Sequence, residues 1–231
     1  MTAQRPGVFA RQLAFDLPHA ESFRRDDFLA SAANEAALSL VDRWPEWPEW
    51  PGGMAAIVGP RGAGKSHLAA IWAERAGARI VAASALARAD VPAALATGAL
   101  VVEDAAPGAA DEAALFHLLN LAREDGAWLL FTASRRLDGP GFALPDLVSR
   151  LRALPSVALA PPDDALLSAV LVKLFADRQL AVGEGVIAYL LARMERSFAA
   201  ARETVARLDA AALSRGRAVN RGLAAEIFRE E

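Results

Sequence analysis

Gly59-Pro60-Arg61-Gly62-Ala63-Gly64-Lys65-Ser66 fits the pattern G-x-x-x-x-G-K-[ST] in full. The apolar run Met54–Val58 before it has the length of a strand, and His67-Leu68-Ala69-Ala70-Ile71-Trp72 after it reads as helix. Strand, glycine-rich loop and helix are the context a phosphate-binding loop needs. Three glycines let successive N–H groups turn inward around a diphosphate, and the helix start adds partial positive charge. Lys65 is placed to reach the terminal phosphates, and the Ser66 hydroxyl to ligate Mg²⁺. A glycine turn carrying a lysine by chance is the competing reading, and the flanks argue against it. The stretch predicts a protein that binds a nucleoside di- or triphosphate.

Working outward, the pattern alternates. Strands are expected at Arg79–Ala82, Ala99–Val102, Trp128–Thr132 and Ser156–Leu159, with helices at Lys65–Ala76, Val91–Ala96, Ala110–Asp125 and Leu144–Leu151. Apolar strands alternating with helices predict an α/β fold, a parallel five-stranded sheet covered on both faces. Pro161-Pro162 breaks the alternation, and only helices are expected beyond: Asp163–Asp177, Glu184–Met194, Ser197–Leu213 and Asn220–Arg229, with Asp163 an N-cap. Residues 1–21 read as a polar, flexible arm, 22–160 as a nucleotide-binding domain and 161–231 as a small all-helical lid. Leu29–Trp44 has the spacing of an amphipathic helix, followed by the proline-punctuated loop 45–53 with Trp47 and Trp50.

The chain has 231 residues, 54% of them hydrophobic, which suits one large domain with a small appendage. A formal charge of −3 argues against a broad basic surface for nucleic acid. With no cysteine there is no disulfide and no thiolate metal site, and the three histidines lack metal-ligand spacing. No leader peptide and no apolar run near the ~18 residues of a membrane span are evident. The expectation is a soluble, cytoplasmic protein.

Leu100-Val101-Val102-Glu103-Asp104 is an apolar strand ending in two acids. In a phosphate-loop fold such acids lie beside the nucleotide, where they hold Mg²⁺ or its waters and orient an attacking water. The plainer reading is a strand ending in a polar turn; the phosphate loop upstream favours the functional one. Thr132 and Ser134 end the next strand; a hydroxyl there can sense a γ-phosphate through the attacking water, or be no more than the polar end common to many strands. Arg150, in Asp146-Leu147-Val148-Ser149-Arg150-Leu151, is by itself one arginine among many.

Taken in order, these segments resemble the AAA+ family of the bacterial replication initiator DnaA, and within it the short Hda relatives that act in regulatory inactivation of DnaA. Ser22–Phe28, ahead of a helix carrying Asn34, looks like the family's adenine-side motif, with Phe28 at the base. GPRGAGKSHLA is close to its phosphate loop, including His67-Leu68. EAALFHLLNL, Glu112–Leu121, looks like the helix after the second acidic motif. Phe131–Ser134 matches the sensor strand, and Leu147–Leu151 the box that holds an arginine finger. The resemblance runs from about residue 22 to the end and implies ADP or ATP with Mg²⁺, bound through Gly59, Pro60, Arg61, Gly62, Ala63, Gly64, Lys65, Ser66, His67 and Phe28. Glu103, Asp104, Ser134 and Arg150 take the catalytic positions, with Ser66 and Glu103 beside Mg²⁺.

Two features point to the Hda branch. The chain stops at Glu231, leaving no room after the lid for the initiator's helix-turn-helix domain, so no direct sequence-specific DNA binding is expected. Gln12-Leu13-Ala14-Phe15-Asp16-Leu17-Pro18 resembles the peptide that docks on the DNA polymerase III sliding clamp. Gln12 can hydrogen-bond at a pocket rim while Leu13, Phe15 and Leu17 fill apolar sites. The implied partners are the clamp and DnaA, with no membrane; a homo-oligomer is compatible with the resemblance. Two positions depart from the family. Glu103 stands where Asp is usual, moving the carboxylate by ~1.5 Å, and Ala199 stands where the second sensor arginine is expected, with Arg202 one turn on. Both weaken the case for brisk intrinsic hydrolysis. A helicase-loader or transposition-helper ATPase leaves the arm unexplained, and a small-molecule kinase fits poorly with the all-helical ending.

Overall fold

The computed structural model describes residues 23–46, 51–88 and 91–229. The clamp-like segment Gln12–Leu17, Ser22, and Trp47 and Trp50 lie outside the described residues.

Five apolar runs form the strands β1 (Met54–Val58), β2 (Arg79–Ala82), β3 (Ala99–Glu103), β4 (Trp128–Ala133) and β5 (Ser156–Ala158). They pair in parallel in the order β2-β3-β4-β1-β5, with Met54 opposite Leu129 and Leu100 opposite Leu129 on its other side. Strand side chains alternate between faces, so the central strands β1, β3 and β4, buried on both, are largely apolar, while the edge strands β2 and β5 are exposed or half-buried. Met54, Ala56, Leu100, Val102, Leu129 and Phe131 point to one core, where α4 (Glu112–Asp125) contributes Leu115 and Leu118 and α5 (Pro145–Ala153) contributes Leu147 and Leu151. Ala55, Ile57, Val101 and Leu130 point to the other, against Leu38 and Leu40 of α1 (Glu35–Asp42) and Leu68 and Trp72 of α2 (Lys65–Ala76). Between β2 and β3 lies the short α3 (Val91–Ala94).

A third apolar cluster is helical throughout: Leu167, Leu171 and Phe175 of α6 (Asp164–Asp177), Ile187 and Leu190 of α7 (Glu184–Leu191), Val205 and Leu208 of α8 (Phe198–Arg215), and Leu223 and Ile227 of α9 (Arg221–Ile227). Three of these helices open on a side-chain cap. The oxygen of Asp163 accepts from the Leu166 N–H at 2.7 Å, that of Ser197 from Ala200 at 3.1 Å, and that of Asn220 from Leu223 at 2.9 Å. Each cap contributes about 1 kcal/mol.

Several expected helices are shorter than their apolar spacing implies; that expected over Glu184–Met194, for one, ends at Leu191. The helix expected over Leu29–Trp44 is confined to Glu35–Asp42. Asn34 is buried and turns its side chain backwards, accepting from the Ser31 N–H and donating to the Leu29 carbonyl, which holds 29–34 as a turn. The helix expected over Val91–Ala96 ends at Ala94, where Gly98 donates back to the Leu95 carbonyl and leads into β3.

Candidate functional site: a phosphate loop, a cavity and Arg150

The sheet order places the C-terminal ends of β3, β4 and β1 side by side, and ligands in open α/β sheets bind beyond such ends. From β1 springs the phosphate loop. Its first glycine donates to the Ala133 carbonyl of β4 at 3.0 Å, so loop and sensor strand are in direct contact. Gly62 and Gly64 have φ of 75° and 100°, conformations that exclude most side chains. Space excludes them too. A Cβ on Gly62 would lie 2.5 Å from Cβ of Ser197, and one on Gly64 would touch the rings of Phe198 and Phe28.

Lys65 opens α2 and is only 8% exposed. Its Nζ donates to the carbonyls of Gly59 at 2.8 Å and Pro60 at 2.9 Å. Burial lowers its pKa, and the carboxylates of Asp104 and Glu103 partly offset that. The two acids at the end of β3 are therefore close enough to act on the phosphate-loop lysine. Asp104 takes a left-handed φ of 54°, and its N–H donates to Oγ1 of the buried Thr132 at 3.2 Å. Thr132 thus orders the acidic turn, whereas Ser134 and Ser66 are exposed. Glu103 is half-buried and Asp104 exposed.

Beside the loop lies a cavity of about 670 Å³, a size that takes a nucleotide-class ligand. One wall is the segment before α1, with Phe23, Asp27, Phe28 and Leu29; the floor is Gly64 and His67. The opposite wall is helical, with Leu166, Val170 and Leu174 from α6 and Phe198, Ala199 and Arg202 from α8. The His67 ring is met edge-on by Phe23 and Phe28, at 5.3 and 5.2 Å between centroids. Its Nε2 lies 3.0 Å from the Arg24 carbonyl, which requires the Nε2–H tautomer.

The helical wall is docked on the loop itself. Phe198 donates its N–H to the Gly62 carbonyl at 3.0 Å. A second tie crosses the cavity mouth, where Lys173 of α6 bridges Asp27 at 2.9 Å and Asp177 at 2.8 Å. Sequence reasoning missed Lys173, Asp27 and the apolar side of α6. The spacing of Lys173 and Asp177 signals only a pair within one helix; nothing local indicates that Asp27 joins it. Ala199 and Arg202 both line the cavity.

An apolar slot for a base, meeting a glycine loop with a buried cation, fits an adenine nucleotide. Mg²⁺ fits as an ion carried by the phosphates, which needs only one or two protein ligands. Among the described residues no group of three histidine or acidic side chains converges on a metal site.

Arg150 stands elsewhere. It is on α5, half-buried, its guanidinium 5.1 Å from the centroid of the Phe116 ring of α4. Neither α4 nor α5 contributes a residue to the cavity lining. Of the residues expected at the nucleotide, the lining takes in Phe28, Gly64 and His67, while Lys65, Ser66, Glu103, Asp104 and Ser134 lie outside it, as does Arg150. Among them no helix is long and apolar enough to cross a membrane.

Sheet order, phosphate loop and helical wall define an AAA+ fold of the DnaA-related type. Domain III of the Thermotoga maritima replication initiation protein DnaA superimposes with a TM-score of 0.74 at 17% identity, over 90% of this chain and 96% of that one. A DnaA bound to AMPPCP and single-stranded DNA gives 0.64 at 19% identity, over 80% of this chain and 64% of that longer one. The Thermotoga maritima RuvB Holliday junction branch migration motor gives 0.69 at 13% identity, over 90% and 72%. No protein-family model and no curated protein sequence matches the chain.

Proposed function

We propose that the chain is an Hda-type negative regulator of replication initiation, which holds a nucleotide of its own and acts on the ATP of another AAA+ protein, the initiator DnaA. The observation that carries this reading is that Arg150 stands on α5 against the Phe116 ring of α4, two helices that contribute nothing to the cavity lining. A guanidinium held on an outer helix is presented to a neighbouring molecule. In this reading 22–160 is the nucleotide-binding domain, 161–231 the lid and 1–21 the tethering arm.

Bound between lid and sheet, ADP or ATP with Mg²⁺ supplies phosphate charge that satisfies Lys65. Gly59 to Ser66 hold the phosphates through backbone N–H groups, with Ser66 and Glu103 beside the metal. Phe28 and His67 wall the base. Asp104 and Ser134 flank the terminal phosphate, but Glu103 in place of Asp and Ala199 in place of arginine make this chain a poor hydrolase. Its nucleotide chiefly fixes the angle between lid and sheet, and with it the surface that meets DnaA.

Gln12, Leu13, Phe15 and Leu17 dock on the DNA-loaded sliding clamp, raising the local concentration near DNA-bound DnaA. Arg150 then stabilises negative charge developing on the phosphoryl group transferred in DnaA, an effect worth on the order of 10³–10⁵ in rate. The test is hydrolysis of DnaA-bound ATP with clamp loaded on DNA, comparing the wild-type chain, Arg150→Ala and a deletion of residues 12–17. Both variants are expected to lose stimulation while binding nucleotide normally. Full stimulation by Arg150→Ala would overturn the reading.

A second reading, a helicase-loader or transposition-helper ATPase acting on DNA directly, draws on the likeness to the RuvB motor. It predicts substantial intrinsic hydrolysis and DNA binding without clamp or DnaA, which the same assay detects.

A further inference from the structure

We propose that Glu112 is a positioning residue for Arg150: its carboxylate clamps the start of α5 and so fixes where the guanidinium stands. This rests on the reading of Arg150 given above.

The start of α5 has no means of closing itself. Its first residue is Pro145, which lacks an N–H, and its N-cap is Leu144, whose side chain offers no oxygen. The neighbouring helix supplies the acceptor instead. Ala143 donates its N–H to both carboxylate oxygens of Glu112, at 2.9 and 3.0 Å, and Leu144 donates to Oε2 at 2.7 Å. These are charge-assisted bonds to a carboxylate, at the end of a helix where negative charge is favoured.

The carboxylate is itself rooted. Glu112 is the first residue of α4, whose opening turn is capped by Asp111 accepting from Ala113 and Ala114 at 2.8 and 3.3 Å. One turn further along the same face, Phe116 carries the Arg150 guanidinium. The loop leading into α5 is also seated, since a Cβ at Gly141, whose φ is 121°, would lie 2.7 Å from Pro107. The α4 helix therefore grips α5 at two points, the N–H groups of Ala143 and Leu144 just ahead of it and Arg150 itself, with Leu147 and Leu151 buried alongside.

From Leu144 to Arg150 is six residues, or ~9 Å of helix axis. A slip at the start is carried along that length to the arginine. Misplacing a reacting group by about 1 Å can cost on the order of 10²-fold in rate. The ring of Phe116 does not prevent such a slip, because it is a flat contact over which a guanidinium can slide. The carboxylate, with three directional bonds, sets the register.

The test uses the full chain with DnaA, ATP and clamp loaded on DNA, and compares Glu112→Ala, Glu112→Gln and Arg150→Ala. Glu112→Ala is expected to lower the stimulated kcat by about 10- to 100-fold, with the half-saturating concentration and the chain's own nucleotide affinity unchanged. Glu112→Gln keeps an oxygen for the Leu144 N–H and is expected to recover most of that loss. Amide exchange should quicken at Ala143 and Leu144 in Glu112→Ala while Leu151, within the bonded part of α5, stays protected.

Full activity of Glu112→Ala beside an inactive Arg150→Ala would overturn the proposal and leave the proposed function standing. A loss without faster exchange at Ala143 and Leu144, or one shared with the chain's own nucleotide affinity and Tm, would reduce Glu112 to a structural residue. Full stimulation by Arg150→Ala would remove the function itself, and the role of Glu112 with it.

Discussion

Lys65 and Arg150 are the two cations on which the functional reading turns, and the molecule holds them in opposite ways. Lys65 is enclosed at the start of α2, tied to two carbonyls of its own loop and short of compensating charge. Arg150 is half-buried on an outer helix, resting on a single ring and on the helix that Glu112 anchors. On the proposed function, phosphates held by the loop complete the environment of the first cation and a second molecule that of the second. One fold then separates holding a nucleotide from acting on one, and each half is open to being broken without the other.

The largest expected effect comes from the outer half. Arg150→Ala should lower stimulated hydrolysis by about 10³-fold or more, with the chain's own nucleotide affinity unchanged by titration calorimetry. A fall in that affinity would collapse the distinction between the two cations.

Lys65→Ala strikes the inner half. It should weaken nucleotide binding about 100-fold or more, the loss of ~3 kcal/mol in charge-assisted hydrogen bonds. Nucleotide-free Tm should not fall, because burial already disfavours the charged lysine. The lowered pKa means that this penalty is greatest at low pH and fades as pH rises toward the ordinary lysine value of 10.5. A large drop in Tm would instead make Lys65 a structural pillar of the loop.

A third change separates the loop from the helical wall. In Gly62→Ala the methyl group meets Ser197 at 2.5 Å in a left-handed backbone, costing about 1–3 kcal/mol, or some 3–10 °C in Tm. Clamp binding, measured by anisotropy, should be unaffected.

The smallest effect is at the cavity mouth. Asp27→Asn should lower Tm by about 1–3 °C at neutral pH, as for a partly exposed ion pair. The Lys173 pKa is raised by its hydrogen bonds to Asp177 and Asp27. A raised pKa gives stability that is complete below 10.5 and is lost as pH climbs through the raised value. The variant and wild type should therefore converge in strongly alkaline buffer; a difference that persists there would mean that Asp27 acts through something other than Lys173.

Most of the fold was legible in the chain. Strand β2 was expected where it lies, because four consecutive residues between a helix and a turn leave few alternatives. The cap at Asp163 is legible for a local reason, whereas Ser197, expected as the first residue of a helix, caps the one that starts at Phe198. The helix expected from Leu29 failed because apolar spacing cannot reveal that Asn34 turns back to bond Ser31 and Leu29. In the site, Phe28 and His67 were named from the sequence, but their edge-on contact was not. Residues thirty-nine apart meet only when α2 packs beneath the leading segment.

The sequence by itself determined what depends on spacing along the chain: a glycine loop between strand and helix, short apolar runs that make the central strands, and oxygens at helix starts. These follow from backbone geometry, which neighbouring residues fix. Only the tertiary structure decided that Lys173 reaches Asp27, that Phe198 docks on Gly62 and that Glu112 closes the start of α5. Each joins groups on different elements, and the distance between them is set by how two helices and a sheet bury their apolar faces, a long-range quantity that no local pattern encodes.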